Sequence, residues 1–151
     1  MQDSIIKREN IISALKTYFQ RKADTYDINM AFLYGSWACG YPKEESDIDV
    51  AVLFNRLMSE DTTFDIVNDI ALELTNILRR ETNVLCIDRE LSKPMLHYNV
   101  IVHGIAVYMK EFPEYVDMRL KAIVQMEDFS IFGTQWQAEI VRKRMEVINR
   151  A

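Results

Sequence analysis

Two kinds of apolar pattern alternate along this chain of 151 residues and together predict an α/β fold. Helical spacing of apolar residues predicts helices at 3–20, 63–80 and 92–103, and again from residue 113 onward. Short apolar runs bounded by polar residues predict strands at 30–34, 50–54, 83–88 and 105–109. A chain of this length is expected to form one domain, with room for a helical extension.

The C-terminal segment is predicted to be helical from Pro113, as two helices with a break near Gly133. It carries two apolar stripes and further apolar residues between them, which is more apolar surface than one small sheet can cover. Part of that surface is therefore a candidate for contact with a partner protein, and the alternative is a tail packed on its own domain. We divide the chain into a domain at 1–110 and a helical extension at 111–151 within the same compact unit.

The residues with the strongest indication of chemistry lie between the first two predicted strands. Gly35 and Ser36 follow the first strand, and Gly35 allows a sharp turn that a phosphate can approach closely. If residues 36–39 open a short helix, its N-terminus is an anion site. Asp47 and Asp49 begin the second strand, where alternation places both on one face.

Two adjacent carboxylates at an apolar strand resist burial unless a cation lies between them, and oxygen ligands favour Mg²⁺. A phosphate cradle beside a metal-binding carboxylate pair suits phosphoryl or nucleotidyl transfer. The alternative is structural, with the Asp-x-Asp pair at a solvated strand edge and Gly-Ser in an ordinary turn.

Gly35-Ser36, ten residues, and then Asp47-x-Asp49 resembles the signature of the nucleotidyltransferase superfamily related to DNA polymerase beta. Over 28–109 the chain is most similar to minimal nucleotidyltransferase (MNT) proteins, in particular MntA-type antitoxins paired with HEPN toxins. Like the apolar pattern, this resemblance implies an α/β fold with a small mixed sheet and helices mainly on one face. It implies that Gly35 and Ser36 bind the phosphates of a nucleotide. It also implies that Asp47 and Asp49 are catalytic residues and bind Mg²⁺.

The loop between the turn and the aspartates departs from the pattern Gly-Ser-x-Ala-Arg-Gly that is common in the family. Cys39 stands in place of the arginine, which removes one cation. Lys43 is a candidate to contact the triphosphate, and the alternative is a solvated loop lysine. Trp37 is interpreted as packing under the turn, with stacking on a base as the alternative.

The third carboxylate of the family has no clear counterpart in this chain. Its position is matched by Leu85, whereas Asp88 matches a second acid that many relatives carry at the end of the same strand. Asp88 is therefore a candidate third catalytic acid, and the alternative is that it caps the following turn. Asn83 and Glu81 are in phase with Leu85 and are candidates for weaker ligands.

Composition and charge narrow the range of partners. The net charge of −5 argues against general nucleic-acid binding, and no apolar run approaches the length of a membrane span. Two cysteines without metal spacing, and an N-terminus without a signal-peptide pattern, predict a cytoplasmic protein.

By the resemblance, the expected function is Mg²⁺-dependent transfer of AMP from ATP to a tyrosine hydroxyl of a cognate HEPN ribonuclease toxin. Two alternatives remain at this point. One is a catalytically degenerate antitoxin that neutralises the toxin by binding alone. The other is a nucleotidyltransferase that acts on a small molecule.

Overall fold

The protein is described here by a computed structural model that covers residues 2–40, 42 and 46–150. Nine elements follow one another along these ranges: α1 Gln2–Tyr26, β1 Ile28–Tyr34, α2 Ser36–Cys39, β2 Ile48–Phe54, α3 Glu60–Leu78, β3 Thr82–Cys86, α4 Pro94–Ile101, β4 Ile105–Met109 and α5 Phe112–Arg150. Within these ranges, none of the helices has a stretch both long and apolar enough to traverse a lipid bilayer.

The four strands form one mixed sheet in the order β3-β2-β1-β4. β1 is antiparallel to both β2 and β4, whereas β3 runs parallel to β2. The end of β1 therefore lies beside the beginning of β2, and the beginning of β3 lies on the other side of β2, at the same end of the sheet. This arrangement confirms the predicted α/β fold with a small mixed sheet, and it brings the Gly-Ser turn next to the two aspartates.

Helices cover both faces of the sheet, which differs from the expectation of helices mainly on one face. α1 and α3 pack on one face, where their core side chains include Leu15, Phe19, Ile70 and Leu74. α4 and the first turns of α5 pack on the other face, where Met118 and other side chains are buried. The physical reason is that β1 and β2 are apolar on both sides, so each face must be shielded from water.

The C-terminal segment is one helix of 39 residues rather than the two predicted helices. Gly133 lies in its interior and has open space where a side chain would be. One glycine in a helix costs about 1 kcal/mol relative to alanine, which weakens the helix without ending it. The division of the chain at residue 110 stays a prediction.

A partly buried carboxylate joins α1 to α3 on the first face of the sheet. The hydroxyls of Tyr18 and Tyr26 each donate a 2.6 Å hydrogen bond to one oxygen of Glu73. Burial alone would raise the pKa of Glu73, but the two hydrogen bonds, together with Lys22, outweigh it and lower that pKa. The carboxylate is thus held in its charged form as a shared acceptor.

We expect Glu73→Gln to lower the free energy of unfolding by about 1–3 kcal/mol at neutral pH, because an amide cannot accept both hydroxyls as a carboxylate does. A carboxyl group with a lowered pKa stabilises the fold above its ordinary pKa of 4.5, and this stability is lost as the pH falls through the folded value. The difference between variant and wild type should therefore shrink in acid. Urea titrations at several pH values measure it, with exposed Asp65→Asn on the same helix as control.

Candidate functional site

The turn after β1 is shaped by a glycine that no other residue replaces without strain. Gly35 has φ 76° and ψ −153°, a conformation essentially restricted to glycine. Its carbonyl accepts hydrogen bonds from the N–H groups of Ala38 and Cys39, and these are the first hydrogen bonds of α2. A Cβ atom on Gly35 would lie 2.5 Å from Oδ2 of Asp49. The backbone of the turn and this carboxylate are therefore in direct contact.

Side chains from two other elements hold the turn in place. The guanidinium of Arg8, in α1, donates to the carbonyls of Trp37 and Ala38 at 2.8 and 2.7 Å. The Trp37 ring is buried, and its Nε1 donates to the carbonyl of Ser46 at 3.1 Å. Arg80 lies over this ring, 5.1 Å from the centroid. Trp37 thus packs under the turn, as the preferred sequence interpretation had it.

The two aspartates and an asparagine from the neighbouring strand form one polar cluster. Asp49 pairs in register with Asn83 of β3. The Asn83 amide donates to Oδ2 of Asp47 at 3.4 Å. Burial raises the pKa of Asp49, the negative charge of Asp47 raises it further, and a hydrogen bond from Asn83 opposes both effects. On balance, these surroundings raise the pKa of Asp49 and so disfavour its negative charge.

Tyr34 lies on the other side of Asp49, at the end of β1, where the two residues pair in register. Burial, and then the charge of Asp49, raise the pKa of Tyr34 to about 12. The phenol therefore stays neutral at physiological pH. The sequence alone does not show that Tyr34 and Asn83 flank Asp49, because both positions depend on the strand register.

This donor set fits a magnesium ion that binds together with a nucleotide. Mg²⁺ is usually held by one or two carboxylates plus substrate phosphates rather than by an all-protein cage. Asp47 and Asp49 supply two such carboxylates with unbalanced charge. In the described part of the chain, no group of three or more His, Cys, Asp or Glu side chains is arranged to hold a metal ion.

Asp88 is not brought to this cluster, so the structure corrects its assignment as a third catalytic acid. It lies two residues beyond the end of β3, and it lines a cavity with Leu53 and Phe54, at the end of β2 that is opposite to Asp49. Its carboxylate accepts hydrogen bonds from the N–H and Oγ of Ser92 and contacts Nε2 of buried His97 at 3.1 Å. Asp88 therefore organises the turn before α4, which was the alternative interpretation.

The remaining sequence candidates lie in different surroundings. Leu85 pairs with Ala51 in the adjacent strand and packs into the apolar cluster on the α4 and α5 face. Glu81 contributes its carbonyl, which accepts a hydrogen bond from the N–H of Ile48. Lys43 lies outside the described residues, and its contact with a triphosphate stays a prediction.

Solved structures with the same fold come from toxin–antitoxin complexes. A chain of a toxin–antitoxin crystal structure with AMP-PNP is 15% identical, with a TM-score of 0.63 over 83% of this chain and 98% of that chain. A chain from a complex of tri-AMPylated Shewanella oneidensis HEPN toxin with MNT antitoxin is 13% identical, with a TM-score of 0.59 over 86% and 98%. A chain of the crystal structure of the toxin–antitoxin MntA-HepT is 15% identical, with a TM-score of 0.56 over 90% of this chain and 97% of that chain.

Sequence comparison identifies the family of the chain. Among curated proteins, none matches the sequence. The family model described as polymerase beta, nucleotidyltransferase, matches residues 9–112, which include the glycine turn, both aspartates and the whole sheet. The chain therefore belongs to the polymerase beta family of nucleotidyltransferases.

Proposed function

We propose that this protein is an antitoxin that transfers AMP from ATP to a tyrosine hydroxyl of a cognate HEPN ribonuclease toxin, in a reaction that depends on Mg²⁺. The observation that carries the proposal is the contact between the Gly35 backbone and the Asp49 carboxylate, with Asp47 beside it. Support also comes from solved relatives, one with AMP-PNP and one with an AMPylated HEPN toxin bound to an MNT antitoxin.

Gly35 and Ser36 bind the β- and γ-phosphates of ATP in this proposal. Gly35 carries no side chain, so the phosphates can approach the backbone at the turn. Ser36 offers a hydroxyl group and a backbone N–H as donors. Arg8 and Trp37 fix the turn from below, so these donors are oriented before the nucleotide arrives.

Asp47 and Asp49 would hold Mg²⁺. When bound, the ion would stabilise the negative charge that develops during the transfer. Asn83 holds the two carboxylates in place and keeps the pKa of Asp49 from rising further. The tyrosine oxygen attacks the α-phosphorus in line, and a new phosphorus–oxygen bond forms as the bond from the α-phosphorus to the bridging oxygen breaks. Pyrophosphate leaves, and the hydroxyl proton is released to solvent.

One observation favours a second candidate function, an antitoxin that neutralises its toxin by binding alone. Leu85, at the position that the resemblance assigns to a third acid, pairs with Ala51, and Asp88 lies beyond the far end of β3 and does not replace the missing acid. A site with two carboxylates has one electrostatic contribution fewer for the reaction. This candidate predicts complex formation without covalent change to the toxin.

The intact mass of a purified HEPN partner, after incubation with this protein, ATP and Mg²⁺, distinguishes the two candidates. We expect a gain of one or more AMP units that requires Mg²⁺ and maps to a tyrosine. An unchanged mass with co-elution and loss of ribonuclease activity would favour neutralisation by binding. Neither modification nor co-elution would contradict both antitoxin functions.

Replacing either aspartate by its neutral amide should strongly reduce transfer without unfolding the protein. We expect Asp47→Asn and Asp49→Asn each to reduce AMP transfer roughly 10²-fold or more, a loss typical for removing one electrostatic group from an active site. Asp88→Asn is the matched control, because it removes a carboxylate from the far end of β3. It should lower stability and leave transfer nearly unchanged, whereas strong loss of transfer would return Asp88 to the active site.

Gly35→Ala should weaken ATP binding far more than Gly40→Ala. Both glycines have positive φ values, 76° and 83°, so both substitutions strain the backbone. Only at position 35 does the added Cβ meet Asp49, since at position 40 no atom of the described residues lies within 4 Å of it. Titration calorimetry with Mg²⁺ and ATP measures the difference, and equal affinities would show that the Gly35–Asp49 contact is not needed for binding.

Asn83→Ala should move the acidic limb of the pH–rate profile to higher pH. The variant loses the hydrogen bond that opposes the raised pKa of Asp49, so that pKa rises further and more alkaline conditions are needed to ionise the group. Initial rates of AMP transfer between pH 4.5 and 8 measure the shift, with exposed Asn68→Ala in α3 as control. A profile that only loses height would indicate that Asn83 acts on geometry alone.

A further inference from the structure

The two aspartates of the candidate site are held in different ways. Asp49 lies within β2 and pairs in register with Tyr34 of β1 and Asn83 of β3. Asp47 precedes Ile48, the first residue of β2, and its side chain is exposed. A carboxylate outside the strand needs other contacts to orient it, if it is to share a cation with Asp49.

The junction between α3 and β3 holds the backbone on both sides of Asp47. Before it, the carbonyl of Ser46 accepts a hydrogen bond from the guanidinium of Arg80 at 3.4 Å. After it, the N–H of Ile48 donates to the carbonyl of Glu81 at 2.9 Å. Two consecutive residues at the junction therefore bind the two peptide groups that flank Asp47.

A buried tryptophan fixes the position of the Arg80 guanidinium. Cζ of Arg80 lies 5.1 Å from the centroid of the Trp37 ring, and this ring is only 3% exposed. A cation over an indole at this distance is attracted to it, and the attraction is stronger where water is excluded. Nε1 of Trp37 donates to the same Ser46 carbonyl at 3.1 Å. Guanidinium and indole thus converge on the peptide group that leads into Asp47.

We propose that Arg80 is a positioning residue of the metal site, and that it acts through the Ser46 carbonyl to orient Asp47 for Mg²⁺. Arginine suits this role, because its planar group can stack on an aromatic ring while its edge donates hydrogen bonds. A carboxylate that is oriented beforehand loses less freedom when the cation binds. The inference rests on the proposed Mg²⁺ site, and it does not require AMP transfer to a toxin.

Titration calorimetry with ATP, once with Mg²⁺ and once with a chelator, tests this role without any acceptor protein. Partners that orient metal ligands typically contribute about 10- to 100-fold to metal affinity, so we expect Arg80→Gln to weaken ATP binding in Mg²⁺ about tenfold. Binding in the chelator should change little, because Asp47 then holds no cation. A general loss of structure would instead lower both affinities.

Two variants separate position from charge. Arg79→Gln is the matched control, because Arg79 is the adjacent residue, carries the same charge and has an exposed side chain. It should leave the ratio of the two ATP affinities as in wild type. Arg80→Lys keeps the charge, but a single ammonium group lacks the planar fork of arginine. We expect it to recover only part of the Mg²⁺-dependent affinity.

The fluorescence of Trp37 reports the contact without any ligand. The chain has two tryptophans, so Trp136→Phe leaves Trp37 as the single emitter. In this background, Arg80→Gln should shift the emission to longer wavelength, because the ring loses its cover on one side. Arg79→Gln should leave the spectrum unchanged.

The outcomes distinguish the positioning role from the metal site itself. A ratio of ATP affinities with and without Mg²⁺ that Arg80→Gln leaves unchanged would overturn the role of Arg80, while the metal site would stand. Equal losses in Arg80→Gln and Arg79→Gln, or full recovery in Arg80→Lys, would assign the effect to charge and overturn it too. Wild type without any Mg²⁺ dependence would contradict the metal site, and the inference with it. If Arg80→Gln does not fold, the ratio measured for Arg80→Lys against wild type decides.

Discussion

The contact between the Asp49 carboxylate and the Gly35 backbone sets the geometry of the whole site. A methyl group at position 35 would overlap Oδ2 of Asp49, so turn and carboxylate can meet only if residue 35 is glycine. The antiparallel pairing of β1 with β2 produces this contact, because Tyr34 and Asp49 are direct neighbours in the register. Arg8 and Trp37 then hold the turn against the edge of the sheet. Phosphate binding and cation binding thus share one rigid unit.

The same unit is electrostatically incomplete without a ligand. Asp47 and Asp49 lie side by side, and burial together with their mutual repulsion raises the pKa of Asp49. A hydrogen bond from Asn83 opposes the rise in the pKa of Asp49, but a neutral amide adds no positive charge. At the opposite end of β3, Asp88 has ordinary structural partners in Ser92 and His97. This contrast indicates that Asp47 and Asp49, rather than Asp88, are the carboxylates that bind a ligand.

The elements and the core of the site follow from local sequence patterns, and the exceptions have identifiable physical causes. Gly35, Ser36, Asp47 and Asp49 are close in sequence and lie where one apolar strand ends and the next begins, so the antiparallel pairing of these strands brings them together. The location of Asp88 depends on how far β3 slides along β2, which no local pattern records. The uninterrupted apolar runs of β1 and β2 place apolar side chains on both faces of the sheet, so helices cover both faces rather than mainly one. Gly133 suggested a helix break, but a single glycine is too small a cost to interrupt α5.

The most direct test of this account is whether ATP and Mg²⁺ bind as one ligand. Titration calorimetry of the wild-type chain with ATP, first with Mg²⁺ and then with a chelator, measures the coupling. We predict that ATP affinity falls at least tenfold without the cation, because the triphosphate then faces two unbalanced carboxylates. Equal affinity in both conditions would mean that Asp47 and Asp49 do not share a cation with the nucleotide, and would contradict the account.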